Sequence, residues 1–207
     1  MKTRAELKAM AKEQIKGNIG ILFVCSLIFT AICGGLGFIP VIGAIGSFII
    51  TPAFALGLAT IYIGVSKGKK AEVGDLFSGF QNFGNAFLAN LLMSIFIFLW
   101  SLLLIVPGII KAISYSMTFY VLAEHPEMSG KEAIDESKKI MEGHKWEYFV
   151  LCLSFILWFL LGSITLGIAY IYVAPYMSTT ITNFYHEIKN ADEVVKNGTY
   201  QEPVAEA

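Results

Sequence analysis

Long stretches of this 207-residue chain carry no charge at all. No Asp, Glu, Lys or Arg occurs from Gly17 to Ser66, from Leu76 to Ile110 or from Tyr148 to Tyr185. Charged residues make up 15% of the whole against 56% hydrophobic, and the mean hydropathy is +0.65. Apolar runs of about 18 residues or more match the roughly 30 Å hydrocarbon core of a bilayer, which excludes a soluble globule. A net charge of −1 without a basic stripe excludes a nucleic-acid partner. The few cysteines, Cys25, Cys33 and Cys152, form no Cys-x-x-Cys pair, so neither a zinc nor a redox motif is supported. His125, His144 and His186 fall at or beyond the ends of the uncharged runs, and no His-Glu-x-x-His, Gly-x-Ser-x-Gly, phosphate loop or GxGxxG occurs. Intramembrane catalysis and proton coupling need carboxylates or histidines at membrane depth, and the runs hold none well inside them. The expectation is a protein that is not an enzyme and that takes no metal and no cofactor.

What the runs contain reads as helices. They are apolar all round, without the alternation of barrel strands, and a lipid-embedded backbone must satisfy its own hydrogen bonds. Gly17–Ser66 suits two spans with a turn near Gly34–Pro40, giving spans near 19–38 and 41–65. Phe83 to Ala123 would be about 60 Å long as a single helix at 1.5 Å per residue, twice the core thickness. Pro107-Gly108 is a poor helix interior and is expected to be the hinge between spans near 83–106 and 109–123. The last run divides around Gly162–Gly167 into spans near 148–161 and 168–185.

The expected fold is thus an all-α integral membrane protein, with six transmembrane helices in three hairpins and short cytoplasmic amphipathic helices; the alternative is five spans with a bent third. Residues 19–185 would be the membrane domain, 1–18 an amphipathic helix and 186–207 a disordered cytoplasmic tail. With the N-terminus inside, 14 of the 15 Lys and Arg fall on inner segments, the asymmetry of the positive-inside rule. That orientation puts both termini in the cytoplasm. The mixed-charge lead does not read as a cleaved signal, so the N-terminus is expected to stay in the mature protein.

Each pair of spans follows a short amphipathic segment. In the first, Leu7, Met10, Ala11 and Ile15 share a helical face; in the second, Val73, Leu76, Phe77 and Phe80 do. The third, 130–142, is opened by Ser129 with Glu132 three residues on, a capping box, and stops at Gly143. The second half of each pair has a proline: Pro52, Pro107 or Pro175. The chain therefore suggests a thrice-repeated unit of interfacial helix, span, turn and proline-bearing span. Tyr62, Tyr120, Trp146, Tyr148 and Tyr185 near inner ends suit an aromatic belt. The three interfacial segments are free, on sequence alone, to bind lipid or partner helices.

One charge is left over. Lys111 sits just past the Pro107 turn, where its long stem can carry the ammonium to the outer surface; the other reading is a substrate, lipid-phosphate or counter-charge role. Ser114, Tyr115 and Thr118 follow it, and Ser114 and Thr118 share a face suited to lining a cavity or bonding another helix. Pro107, Gly108, Pro175 and Tyr176 complete the candidate functional or hinge positions.

Several strings resemble a bacterial multi-pass membrane family known as domain of unknown function 975. They are Leu76-Phe77-Ser78-Gly79-Phe80, Phe98-Leu99-Trp100-Ser101-Leu102-Leu103, Pro107-Gly108-Ile109-Ile110-Lys111, Tyr115-Ser116-Met117, Met141-Glu142-Gly143-His144-Lys145, Pro175-Tyr176 and Phe184-Tyr185. The resemblance runs from about Thr3 to Tyr185. It implies a protein of the bacterial cytoplasmic membrane with several helices, and it carries over no catalytic residue. The function expected is a non-enzymatic scaffold, accessory or membrane-homeostasis protein; the alternative is a transporter or permease for a small or lipid-like solute. Its partners would be the lipid bilayer and, besides that, a membrane protein or a second copy of the chain.

Overall fold

The computed structural model describes residues 2–37, 41–165, 167 and 169–196. Among them the chain is helical without strands: α1 Arg4–Gln14, α2 Ile19–Gly37, α3 Ile42–Ser66, a 3₁₀ segment Val73–Asn82, α4 Phe83–Leu103, α5 Ile105–Ser114, α6 Thr118–Glu124, α7 Gly130–Ile140, α8 Lys145–Leu153, α9 Ile156–Ile164 and α10 Tyr170–Lys196. Five stretches of the described residues are long and apolar enough to cross a membrane: Ile19–Leu36, Gly43–Ser66, Val73–Leu103, Ile105–Glu124 and Lys145–Ile164. The span expected near 168–185 falls on α10, which is not among the five. Its Ser178, Thr179, Thr180, Thr182 and Asn183 make it the most polar of the long helices.

Side-chain pairs run in opposite directions along neighbouring helices, which sets their antiparallel packing. On α2 and α3, Leu36 meets Gly46, Cys33 meets Thr51 and Phe29 meets Phe54. On α4 and α5, Ser101 meets Gly108, Trp100 meets Lys111 and Phe96 meets Tyr115. On α8–α9 and α10, Phe159 meets Tyr170, Trp158 meets Tyr172, Phe155 meets Tyr176 and Tyr148 meets Phe184.

The hinge differs from expectation. The break lies at Leu104, which is extended at φ −160° and ψ 143°, and Pro107 stands inside the first turn of α5. The physical reason is the proline ring, which clashes with the carbonyl four residues back. For Pro107 that is Leu103, where α4 ends. In the first turn its missing N–H costs nothing, because those donors have no intrahelical partner. The last pair also differs: the stretch expected near 148–161 runs from Lys145 to Ile164, with a step at Ser154–Phe155 between α8 and α9. The expected disordered tail is helical as far as Lys196, because Ile188 is buried and Lys189 is paired. Positions 38–40, 166, 168 and 197–207, parts of the expected turns and tail, lie outside the described residues.

The amphipathic elements clamp the hairpins, and each one grips its neighbour's. The 3₁₀ segment lies on α3, where a Cβ on Gly57 would meet the Leu76 carbonyl and one on Gly79 the Ala53 carbonyl. Helix α7 lies on α4 and α6, with Ala133, Ile134, Ser137 and Ile140 buried, and Gly130 so close that a Cβ would come within 2.5 Å of the Asn85 carbonyl. Helix α1 closes the circle on α10: Asn183 Nδ2 donates to Gln14 Oε1 at 2.7 Å, and Leu7 and Ala11 are buried. The apolar faces of α1 and α7, expected to be open to lipid or partners, are therefore covered largely by the chain itself. In the second segment only Leu76 of the expected face is fully buried, alongside Gly79, while Phe77 and Phe80 are exposed at 46% and 41%. Three residues per turn, rather than 3.6, put positions 76 and 79 one above the other.

The first and third units match in detail. Thr3 and Ser129 each accept from the backbone N–H of a glutamate three residues on, Glu6 and Glu132, whose carboxylates take the cap N–H in return at 2.6 and 2.8 Å. Both short helices end before a glycine at φ 82°, Gly17 and Gly143, separated by the same interval as the caps. Lys12 and Lys138, again at that interval, reach the rings of Tyr176 and Tyr115 at 5.7 and 5.6 Å. The middle unit is 3₁₀ and its Glu72 cap position makes no side-chain cap bond. Of the expected belt residues, Trp146 is 71% exposed, whereas Tyr62 and Tyr185 are buried within the bundle.

Candidate functional site

Three proline-bearing units converge at the C-terminal ends of α3 and α6 and the C-terminal half of α10. Helix α3 closes with Gly68 at φ 80°: the Lys69 N–H reaches back to the Gly64 carbonyl and the Gly68 N–H to the Val65 carbonyl. This left-handed stop requires glycine and sets Lys67, Lys69 and Lys70 around the end of the helix, where its dipole favours cations. Helix α6 ends at Glu124. On α10, Tyr185 and Lys189 are one turn apart and face the same point.

The Glu124 carboxylate joins these three helices. It accepts from Lys67 Nζ at 2.5 Å, Lys189 Nζ at 2.7 Å and the Tyr185 hydroxyl at 2.9 Å. Its side chain is 10% exposed, against 24% for Lys189 and 52% for Lys67. Lys189 also donates to His125 Nε2 at 3.2 Å, and His186 Nε2 pairs with Ser66 Oγ at 2.8 Å. Burial lowers the basicity of the His186 ring, against the raising pull of Glu124. Beside this hub opens a cleft of about 770 Å³, lined by Lys67, Lys69, Lys70 and Lys189 on one hand and by Glu72, Asp75 and Glu124 on the other. Such an arrangement has the charges to bind and orient an ionic group. Among the described residues no three His, Cys, Asp or Glu side chains come together to hold a metal ion.

The positions singled out in the sequence lie elsewhere, and they fall into two groups. Gly108 packs against Ser101, and Lys111 holds its ammonium 4.9 Å from the Trp100 ring centre, beside the turn that joins α4 to α5. Pro107 shapes that end. Ser114 and Thr118 are buried, but their hydroxyls donate to the carbonyls of Ile110 and Tyr115 at 2.8 Å. Ser137 Oγ bridges the break between α5 and α6, donating to the Ser114 carbonyl at 2.9 Å and accepting from Met117 N–H at 3.2 Å. Tyr115 packs on Phe96 beneath Lys138. Pro175 lies inside α10, and Tyr176 sits among Phe155, Trp158 and Tyr172 with Lys12 above it. These residues pack the two hairpins and are not brought to the cleft beside Glu124.

The hub escaped the sequence reading because its members come from three separate segments and each charge looks like an ordinary loop charge. One signal was available: Glu124 directly ends an apolar stretch, where a carboxylate without a partner is costly. Tyr185 and Lys189 at helical spacing across the end of another stretch supplied the partner.

A family model described as "Protein of unknown function (DUF975)" matches residues 1–114 and 102–192. These matches cover every string on which the resemblance rests. No curated protein and no solved structure matches the chain.

Proposed function

The chain belongs to this family, and from that premise we propose that it is a non-enzymatic six-span protein of the bacterial cytoplasmic membrane, serving as a scaffold, accessory or membrane-homeostasis protein. The observation that carries this reading is how the polar side chains of the bundle are used. Ser114, Thr118, Ser137, Thr180 and Thr182 all donate to backbone carbonyls of the chain itself, at 2.7–2.9 Å. Four of these bonds run three or four residues back along the chain, and only that of Ser137 ties α7 to the end of α5; hydroxyls whose protons are used in this way favour a fixed platform over a polar solute path. Six crossings follow if α10 joins the five apolar stretches. Its neutral part, Tyr170 to Tyr185, then returns the chain to the lysine-rich side, and both termini are cytoplasmic.

Native mass spectrometry of the protein taken from its own membrane in nanodiscs tests the reading. A membrane protein bound at fixed stoichiometry supports an accessory role, and a symmetric homo-oligomer supports a scaffold. Solute flux in proteoliposomes overturns both. Cysteine accessibility at residue 2 and at residue 196 checks that both ends are inside.

A permease is the second reading. Its support is that the stretches Ile105–Glu124 and Lys145–Ile164 are interrupted, at Tyr115–Met117 and at Ser154–Phe155, as the helices of transporters are around their substrates.

A further inference from the structure

The inner cleft has more hydrogen-bond donors than its own carboxylates use. An ammonium has three protons. Lys67 gives one to Glu124, and Lys189 gives one to Glu124 and one to His125. Glu124 takes a third donor from Tyr185, so the buried carboxylate is satisfied. Lys69 and Lys70 line the same cleft with exposed side chains. Four lysines against Glu72, Asp75 and Glu124 leave the lining with one surplus positive charge when His125 is neutral.

Depth supplies the second argument. Lys67 follows the stretch Gly43–Ser66, and Glu124 ends the stretch Ile105–Glu124. The cleft therefore opens where two apolar stretches finish, on the side that holds nearly all the lysines. In a bilayer this is the level of the inner-leaflet phosphates. Its volume of about 770 Å³ is that of a small-molecule site.

We infer that this cleft binds a phosphate ester with a single negative charge, held by Lys69 and Lys70 at the mouth and by the free protons of Lys67 and Lys189 beneath. A phosphodiester balances the surplus charge and accepts the unused donors. The glutamate and aspartate on the opposite edge disfavour ligands of higher negative charge. Two sources share this chemistry, the headgroup of an anionic phospholipid and a soluble phosphate ester. The site is independent of whether the protein is a scaffold or a permease, because it needs only the geometry of the inner ends.

The test uses the full chain in a phosphate-free maltoside detergent, with binding of short-chain phosphatidylglycerol followed by native mass spectrometry. The variant is Lys69→Gln with Lys70→Gln; both side chains are exposed and neither touches the Glu124 hub. The control is Lys2→Gln with Arg4→Gln, which removes the same charge from another part of the inner side. One phosphatidylglycerol per chain is expected. About fivefold weaker binding per lysine removed, from the roughly 1 kcal/mol each contributes beside an anionic headgroup, gives a loss of about 25-fold for the variant. The control should bind as the parent does. Competition by glycerophosphoglycerol, a soluble phosphodiester with the same single charge, assigns the soluble source, and its failure to compete assigns the lipid. The inference is overturned if the variant binds as the parent does, if the control weakens equally, or if uncharged diacylglycerol binds as tightly. A melting temperature of the variant equal to the parent's, without ligand, shows that the fold is retained. If it falls, Lys69→Gln and Lys70→Gln are measured singly, and unchanged binding in both again overturns the site.

Discussion

Replacing Glu124 with glutamine keeps the shape of the side chain and removes the charge on which the ammonium groups of Lys67 and Lys189 converge. The two pairs differ in burial, and that difference sets the expected magnitudes. A hydrogen bond to a charged group contributes about 1.5–3 kcal/mol, and the Lys189 pair, with side chains 24% and 10% exposed, belongs in that range. Lys67 is 52% exposed, so water and salt screen its pair to about 1 kcal/mol or less. Tyr185 keeps a partner in the glutamine amide oxygen. Glu124→Gln is therefore expected to lose about 2–4 kcal/mol, most of it through Lys189. The assay is reversible SDS-induced unfolding in mixed micelles, run as two double-mutant cycles with Lys189→Met and Lys67→Met. The coupling of Glu124 to Lys189 should exceed that to Lys67 by about 1 kcal/mol, and added salt should weaken the Lys67 coupling more. Equal couplings, or the larger one at Lys67, would refute the argument that burial sets the strength of this hub.

Three further outcomes are expected. Gly57→Ala should lose about 1–3 kcal/mol in the same unfolding assay, because its Cβ would press on the Leu76 backbone carbonyl, which cannot turn aside; Gly64→Ala, whose Cβ would meet the Lys69 side chain at an ordinary 3.7 Å, should be close to neutral. Hydrogen bonds from Thr3 and Ser129 hold the carboxyls of Glu6 and Glu132 below their ordinary value of 4.5. Their contribution is therefore complete above that value and lost as pH falls through the lower native one. Amide protection at the starts of α1 and α7 should drop together on acidification, and Glu6→Ala should abolish the pH dependence in α1 alone. Lys111→Met should fold normally and lose about 1 kcal/mol or less, the contribution of a cation on the Trp100 ring; loss of a solute flux in that variant would favour the permease reading.

Much of this protein can be read from particular residues of the chain. The uncharged runs announce a lipid-embedded helical protein, because a bilayer leaves few other solutions for a backbone. The Ser129–Glu132 box marks the start of α7, and the equivalent Thr3–Glu6 pair has the same pattern. Pro107 signals a break, but its position depends on which residue its ring displaces, so the break falls at Leu104. The second amphipathic segment misleads because its spacing fits a helix of 3.6 residues per turn, while close contact of Gly57 and Gly79 with opposing backbone selects the tighter 3₁₀ form.

The sequence alone determined the long apolar stretches, the helical class and the family, since each depends on composition or on local spacing. Tertiary structure alone decided that each amphipathic element grips a neighbouring unit, that Ser114 and Thr118 are bonded inside the bundle, and that Glu124 gathers Lys67, Tyr185 and Lys189 beside a cleft. In a membrane protein the lipid-facing and the protein-facing sides of a helix are equally apolar. Periodicity therefore cannot show which faces meet, and a site assembled from three distant segments becomes visible only when the helices are packed.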